Sequence, residues 1–168
     1  MFLNRVDSFD INTQTLRQVG YLSCSLSNAY SFFHAGNIII VGGQIYVNRH
    51  CPLVLSFNVQ TGVTTILLEG LVDDSVSCFD GVDNIYILSA KTLTRYTLSS
   101  KQSINLAKCP LYQYSCPFIY DTFVGEILYL CGTSKNYRYS TSEDKWTRIK
   151  SNDKVLDRNW FGACLIRD

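Results

Sequence analysis

The sequence predicts an all-β fold assembled from repeated four-stranded antiparallel units. Two patterns indicate this fold: a hairpin signature that recurs along the whole chain, and an apolar strand signature that recurs between the hairpins. The composition agrees, since the 168 residues include 11 Tyr and 9 Phe besides many Val, Ile and Thr. These residue types are enriched in strands, and no segment shows helical spacing of its apolar residues.

The hairpin signature begins at an aromatic residue at positions 9, 57, 96 and 139, so that successive copies are 48, 39 and 43 residues apart. Ten positions after each aromatic residue stands an apolar residue, and small polar residues lie between the two. The four segments are SFDINTQTLRQV, SFNVQTGVTTIL, RYTLSSKQSINL and RYSTSEDKWTRI. Strand, polar turn and strand describe a hairpin, so the sequence predicts four hairpins.

The second signature is an apolar strand that ends in two small residues. Its copies are NIIIVGG (37–43), NIYILSA (84–90) and EILYLCG (126–132), preceded by the shorter apolar stretches YSFFH, SVSCFD and CPFIY. Each period therefore carries four short strands, and a period in the forties with four strands is typical of a β-propeller blade. The predicted repeat units are approximately 1–34, 35–80, 81–120 and 121–168.

A fixed pattern of small and aromatic residues accompanies these strands. The residues that carry it are VGG at 41–43, Phe9-Asp10, Tyr139 with Trp146 seven positions later, and Arg158 with Gly162 at the opening of a further unit. The pattern resembles the kelch-repeat β-propellers, in which a Gly-Gly strand end is followed by an aromatic-Asp pair and a Trp. The other copies depart from it at Leu16, Thr64 and Ser103, and at Ser89-Ala90 and Cys131-Gly132. The resemblance covers residues 1–168 and implies a propeller made of four-stranded antiparallel blades.

The predicted blades form an incomplete ring of about three and a half blades. With the strands of a blade numbered 1 to 4 outward from the axis, the chain opens in strand 3 (NRVDSFD, 4–10) and closes in strand 1 (WFGACLI, 160–166). Propellers have roughly 4–8 blades, and open sheet edges are prone to association. We therefore expect these residues to belong to a longer polypeptide with further blades.

Composition and charge argue against several classes of partner. The formal net charge is +1 and no basic run occurs, so we expect no nucleic-acid binding. The longest apolar run, 38–41, is far too short to span a bilayer, so we expect no membrane association. The seven cysteines form no CxxC pair, which argues against a zinc site and a disulfide framework. We expect reduced, mostly buried thiols in a cytoplasmic protein.

The sequence contains no motif that supports catalysis. His34 and His50 lie in one repeat unit with only Cys51 nearby, which is too few ligands for a metal site. Asp73 and Asp74 fall in a connecting loop, where a solvated turn is expected. Neither GxSxG nor a phosphate-binding GxxxxGK[ST] occurs. We therefore expect a protein without enzymatic activity, metal or cofactor.

The candidate binding residues lie in the longest polar connections. Function commonly resides on loops that a rigid scaffold carries, and in a four-stranded meander the 2–3 and 4–1 connections lie on the same face. The candidates are Tyr46, Arg49 and His50 in the 2–3 connection QIYVNRHCP, and Tyr112, Tyr114 and Arg158 in the 4–1 connections. Tyr and Arg dominate interface energetics. For Arg158, as for Trp160, a structural role is favoured over binding because it matches the repeat pattern.

Three functions remain open at this point. The first is a propeller that binds a protein partner through the 2–3 and 4–1 loops. The kelch resemblance implies an adaptor role, since kelch relatives often use the ring to recognise substrates or the cytoskeleton and are joined to a BTB or B-box domain in a larger protein. The second is a structural unit that associates with itself through open sheet edges. The third is part of an enzyme whose catalytic residues lie outside this sequence.

Overall fold

The computed structural model describes residues 3–46, 49–71, 75–113, 115–150, 153–159 and 163–166. Within these ranges the backbone forms sixteen β-strands and no helix, which confirms the all-β prediction. The strands pair in antiparallel register in five sheets of two or four strands. The chain divides into two compact units, Met1–Asp73 and Asp74–Asp168.

The first unit contains one four-stranded sheet, a long hairpin and a short strand pair. Its strands are β1 (Leu3–Asp10), β2 (Thr15–Leu26), β3 (Tyr30–His34), β4 (Asn37–Val41), β5 (Gln44–Tyr46), β6 (Arg49–His50), β7 (Leu53–Asn58) and β8 (Thr64–Glu69). The sheet has the order β3-β4-β7-β8, whereas β1 pairs with β2 and β5 with β6. Val41 and Val54 face each other across the central strands and are fully buried. The apolar run at 38–41 therefore forms the core strand of this sheet.

The second unit contains two four-stranded sheets whose strands follow chain order. They are β9 (Val76–Phe79), β10 (Asn84–Ser89), β11 (Thr92–Thr97) and β12 (Gln102–Asn105), then β13 (Phe118–Asp121), β14 (Glu126–Leu130), β15 (Asn136–Ser140) and β16 (Lys145–Arg148). The two sheets pack through β9, β10 and β13: Tyr86 of β10 stacks on Tyr120 of β13, with ring centroids 5.5 Å apart and planes 17° apart. Trp146 also donates its Nε1–H to the Ala107 carbonyl 2.9 Å away, which ties the loop after β12 to the next sheet.

The same cross-strand pair recurs in all three four-stranded sheets. An isoleucine of the second strand stands opposite the aromatic residue that begins the hairpin signature. The pairs are Ile38 with Phe57, Ile85 with Tyr96, and Ile127 with Tyr139. The three aromatic side chains are at most 1% exposed. Cross-strand pairs of an aromatic and a β-branched residue stabilise antiparallel sheets, which explains why the signature keeps this spacing.

Polar side chains at the start of two hairpin turns hold those turns in place. The residue that follows the aromatic position is Asp10 in the first copy and Asn58 in the second. The Oδ1 atom of each accepts hydrogen bonds from the backbone N–H groups two and three residues further on, at 2.8–3.0 Å. Asp and Asn favour turns because they make this local bond. The polar turn residues of the signature thus have a direct structural cause.

The small residues at the ends of the second strands lie where the backbone adopts a positive φ. Gly43, Ala90 and Gly132 have φ values of +93°, +46° and +112°. A Cβ atom on Gly43 would lie 2.8 Å from the Ser27 carbonyl oxygen. Glycine is tolerated at such points because it has no Cβ.

Two parts of the structure differ from the sequence-based expectation. The segment 160–166 is predicted as the first strand of a further blade, but its described part, 163–166, is not in a strand, and 160–162 lie outside the described residues. A strand requires a neighbour for its backbone hydrogen bonds, and none of the described strands pairs with 163–166. The connection between β4 and β7, which is predicted as a loop, contains the short strands β5 and β6.

Candidate functional site

Three predicted binding residues lie together on the β5–β6 hairpin of the first unit. Tyr46 ends β5 and is paired with Arg49, which begins β6, and His50 is paired with Gln44. Tyr46 is 63% exposed, Arg49 is exposed and His50 is half-buried. The hairpin therefore presents an aromatic ring and a guanidinium side by side to solvent.

The base of this hairpin is fixed by backbone hydrogen bonds. Ser27 and Gln44 exchange both of their N–H and C=O groups, at 3.0 and 2.8 Å. The Cys51 N–H donates to the Gly43 carbonyl at 2.8 Å, and Cys51 itself is buried. The base of the hairpin is therefore held by three backbone hydrogen bonds.

Arg158, in the second unit, is engaged in a polar network. Its guanidinium donates two hydrogen bonds to Asp153, from Nε at 3.0 Å and from Nη2 at 2.9 Å. The buried Asn136 donates its amide N–H to Asp153 at 3.0 Å and accepts the Gly132 N–H at 2.9 Å. The hydrogen bonds from Arg158 and Asn136 hold the pKa of Asp153 well below its ordinary value. Asp153 thus connects the loop after β16 to the start of β15, and Arg158 holds the Asp153 carboxylate within that loop.

Tyr112 lies beside a second set of contacts between the two 4–1 loops of this unit. The hydroxyl of the buried Tyr129 accepts the Gln113 N–H at 2.7 Å and donates to the Gln113 carbonyl. The Gln113 side-chain amide donates to Asn159 Oδ1 at 3.1 Å. Tyr112 itself is half-buried, and Tyr114 lies outside the described residues. The structure therefore brings the neighbours of Tyr112 and Arg158 together.

The possible metal ligands and the thiols of the described residues are free cysteines and scattered acidic and histidine side chains. Among them no group of three or more His, Cys, Asp or Glu side chains could hold a metal ion. Five of the seven free thiols are buried, and burial raises the pKa of Cys109 to about 11. A hydrogen bond from Cys116 lowers the pKa of Cys131, but the Cys131 side chain is 0% exposed. Since a nucleophilic thiol must be both ionised and accessible, none of these buried thiols has the chemistry of a catalytic cysteine.

Sequence reasoning did not identify Asp153, Asn136 and Asn159 as parts of the loop network. The only signal in the sequence was an acidic residue five positions before Arg158 in one polar loop, and that spacing is not diagnostic.

Within the described ranges of the chain, no helix is long and apolar enough to cross a bilayer.

No protein-family model matches the sequence, and no curated protein matches it at a significant level.

Proposed function

We propose that the chain is a non-catalytic, kelch-type β-propeller module that binds a protein partner through its 2–3 and 4–1 connections. The propeller part of the proposal is supported by three four-stranded sheets that follow one another in chain order. In the second unit, two consecutive sheets pack through β9, β10 and β13, the strands that would lie nearest the axis of a ring. The free thiols fit a reducing compartment such as the cytoplasm.

One observation carries the binding part of the proposal: Tyr46 and Arg49 are adjacent and exposed on a hairpin whose base is fixed. Tyr and Arg are enriched among the residues that contribute most to protein interfaces. The hairpin lies in the 2–3 connection, between β4 and β7. Arg158, by contrast, is paired with Asp153, so we assign it to support of the loops and not to direct contact with the partner.

The test is photo-crosslinking from position 46, with a photoreactive phenylalanine in place of Tyr46, followed by identification of the crosslinked protein. Arg49→Glu should abolish the crosslink because it reverses the charge beside the probe. The matched control is Arg148→Glu, which makes the same charge change at an exposed position of β16 and should leave the crosslink intact. An equal yield from both variants, with unchanged circular dichroism, would refute the proposed surface.

A second candidate function, self-association through an open sheet edge, is favoured by one observation. Among the described residues β1 pairs only with β2, and an unpaired edge is a template for another strand. Light scattering on the purified chain separates the two candidates. A concentration-dependent dimer that persists in Arg49→Glu would support self-association, and a monomer would leave partner binding as the function.

A further inference from the structure

Two cysteines stand opposite each other at the open end of the hairpin formed by β13 and β14. The Leu130 N–H donates to the Pro117 carbonyl at 3.0 Å, which carries the antiparallel ladder one residue beyond β13. One step further in the same register, Cys116 falls opposite Cys131. The pairing of the hairpin therefore brings these two thiols together, although neither cysteine is itself part of a strand.

Their place in the ladder has the spacing that a disulfide needs. In an antiparallel ladder hydrogen-bonded pairs alternate with pairs that are not, and the Cα atoms of the second kind are only about 4.5 Å apart. Because Pro117 and Leu130 are hydrogen-bonded, Cys116 and Cys131 form a pair of the second kind. Disulfides join Cα atoms that are roughly 4.4–6.8 Å apart. The side chains of the two cysteines are in hydrogen-bond contact with each other and are both buried.

The segment 155–159 lies against this pair and its neighbours. The Cys116 thiol donates to Asn159 Oδ1 at 3.3 Å, and the Thr133 N–H, two residues after the second cysteine, donates to the Val155 carbonyl at 2.7 Å. A small oxidant therefore reaches the thiols when this segment opens. Any reaction there is a single slow event for each chain and not catalytic turnover.

We propose that Cys116 and Cys131 are a redox latch: hydrogen peroxide converts them to a reversible disulfide that fastens the loop before β13 to the end of β14. The Cys131 thiolate attacks one peroxide oxygen and the O–O bond breaks. Cys131 becomes a sulfenic acid, and the leaving hydroxide takes up the proton that Cys131 released. The Cys116 sulfur then attacks the Cys131 sulfur, and the sulfenic hydroxyl leaves with the Cys116 proton as water. Two thiols are oxidised, and one peroxide is reduced to two water molecules.

The two cysteines have different parts in this reaction. Their contact lowers the pKa of Cys131, whereas the same contact and burial raise the pKa of Cys116. Since the thiolate is the nucleophile, Cys131 attacks first and Cys116 closes the bond. The expected Cα spacing is at the short end of the range for disulfides, and strained disulfides are the readily reduced, regulatory ones.

Oxidation exchanges one connection of the loops for another. The Cys116 sulfur loses the hydrogen that it donates to Asn159, while residue 116 becomes covalently joined to residue 131. The Gln113 N–H donates to the Tyr129 hydroxyl at 2.7 Å and lies in the loop that the disulfide fastens. Its hydrogen exchange should therefore slow when the disulfide forms.

The test treats the whole folded chain with hydrogen peroxide, alkylates the remaining thiols and maps the cysteines by mass spectrometry. Cleavage after Glu126 separates the two cysteines, so their peptides stay joined only through the disulfide, and fragment masses distinguish Cys116 from Cys109. The linked peptides should appear after peroxide and disappear with dithiothreitol. The oxidised chain should melt at least about 5 °C above the reduced chain, because the bond restricts the unfolded state.

Serine variants provide the second arm of this test, and each is compared with its own reduced form. Cys116→Ser keeps a hydroxyl donor toward Asn159, so it should stay folded but lose both the linked peptides and the rise in Tm. The matched control is Cys109→Ser. It changes a thiol that is also buried and lies in the same loop, outside the ladder, and it should keep both.

Three results would overturn the proposal. The first is the absence of the link at a peroxide concentration that fully oxidises the exposed Cys164. The second is a link from Cys131 to Cys109 in place of Cys116, because the ladder would then not select the partner. The third is a link that forms in urea but not in the folded chain, because the native pairing would then not bring the sulfur atoms together.

Discussion

Replacement of Gly132 by alanine should strongly destabilise the second unit, although it adds only one methyl group. The φ of Gly132 is +112°, in the region that only glycine adopts readily. An added Cβ would lie 2.6 Å from the Val155 carbonyl oxygen and 2.7 Å from that of Leu156. Real Cβ atoms do not approach backbone oxygens so closely, so either the strand end or the segment at 155–156 must move.

The magnitude follows from two contributions. A strained backbone conformation costs about 1–3 kcal/mol, and an added carbon in a filled space costs about 1–3 kcal/mol. Together they should lower the free energy of unfolding by about 2–6 kcal/mol. For a unit of this size each 1 kcal/mol lowers Tm by roughly 4–8 °C, so the expected fall in Tm is at least about 8 °C.

The matched control is Gly81→Ala in the same unit. Gly81 also has a positive φ, +82°, but its added Cβ would meet nothing closer than Thr122 Cγ2 at 3.8 Å. It should therefore show the backbone cost alone, at the lower end of the range. Thermal and urea unfolding, followed by circular dichroism, measure both variants.

Hydrogen exchange provides a local readout of the same effect. The Thr133 N–H donates to the Val155 carbonyl at 2.7 Å, and displacement of 155–156 by the Cβ at position 132 should expose that amide. Its exchange should accelerate in Gly132→Ala and stay slow in Gly81→Ala. Equal losses of stability in the two variants, with Thr133 still protected, would refute the steric argument.

Two further predictions concern packing and pH. A Cβ on Gly20 would lie 2.8 Å from Cζ of the buried Phe57 ring, so Gly20→Ala should lower the free energy of unfolding by about 1–3 kcal/mol. The double variant Gly20→Ala/Phe57→Leu should lose at least about 0.5 kcal/mol less than the sum of the two single losses, as measured by urea unfolding. The hydrogen bonds from Arg158 and Asn136 lower the pKa of Asp153 below its ordinary value of 3.8. Their contribution to stability is therefore complete above about pH 4 and is lost as the pH falls below it. Asp153→Asn should accordingly unfold at a lower temperature than the native chain at pH 7, and this difference should shrink toward pH 2.

Each of these two predictions has a result that contradicts it. Strictly additive losses for Gly20→Ala and Phe57→Leu would mean that the added methyl group does not meet the ring. A difference between Asp153→Asn and the native chain that stays constant from pH 7 to pH 2 would mean that the Asp153 charge contributes nothing to the loop.

The periodic features of the fold were predictable because each has a local cause that repeats. The aromatic position of the hairpin signature corresponds to Phe57, Tyr96 and Tyr139 in the core, and the small residues after each second strand correspond to a backbone of positive φ. Even Ala90, which replaces a glycine of the pattern, has a φ of +46°. Strand pairing and turn geometry impose the same residue preferences on each copy. Four degenerate copies together were therefore enough to predict the strands and the turns.

The polar network of the second unit was not predictable for the opposite reason. Asn136 and Arg158 meet at Asp153 through contacts between residues 17 and 5 positions apart, in one copy only, and no repetition distinguishes them from solvated loop residues. The β5–β6 hairpin was missed because two short strands in a polar connection have no apolar alternation. The candidate site thus depends on the features that periodicity does not encode.

The two arginines among the predicted binding residues separate what a loop recognises from what holds the loop in place. Both were selected for residue type and position, yet Arg158 donates two hydrogen bonds to Asp153, whereas Arg49 is exposed beside Tyr46. Charge reversal at Arg158 would place two carboxylates together and loosen the loop, so any loss of partner binding there would come with a loss of stability. Charge reversal at Arg49 removes binding without that loss if the hairpin is the recognition surface. Where charge reversal of an arginine leaves the melting temperature unchanged, a loss of partner binding in that variant is therefore a loss of recognition.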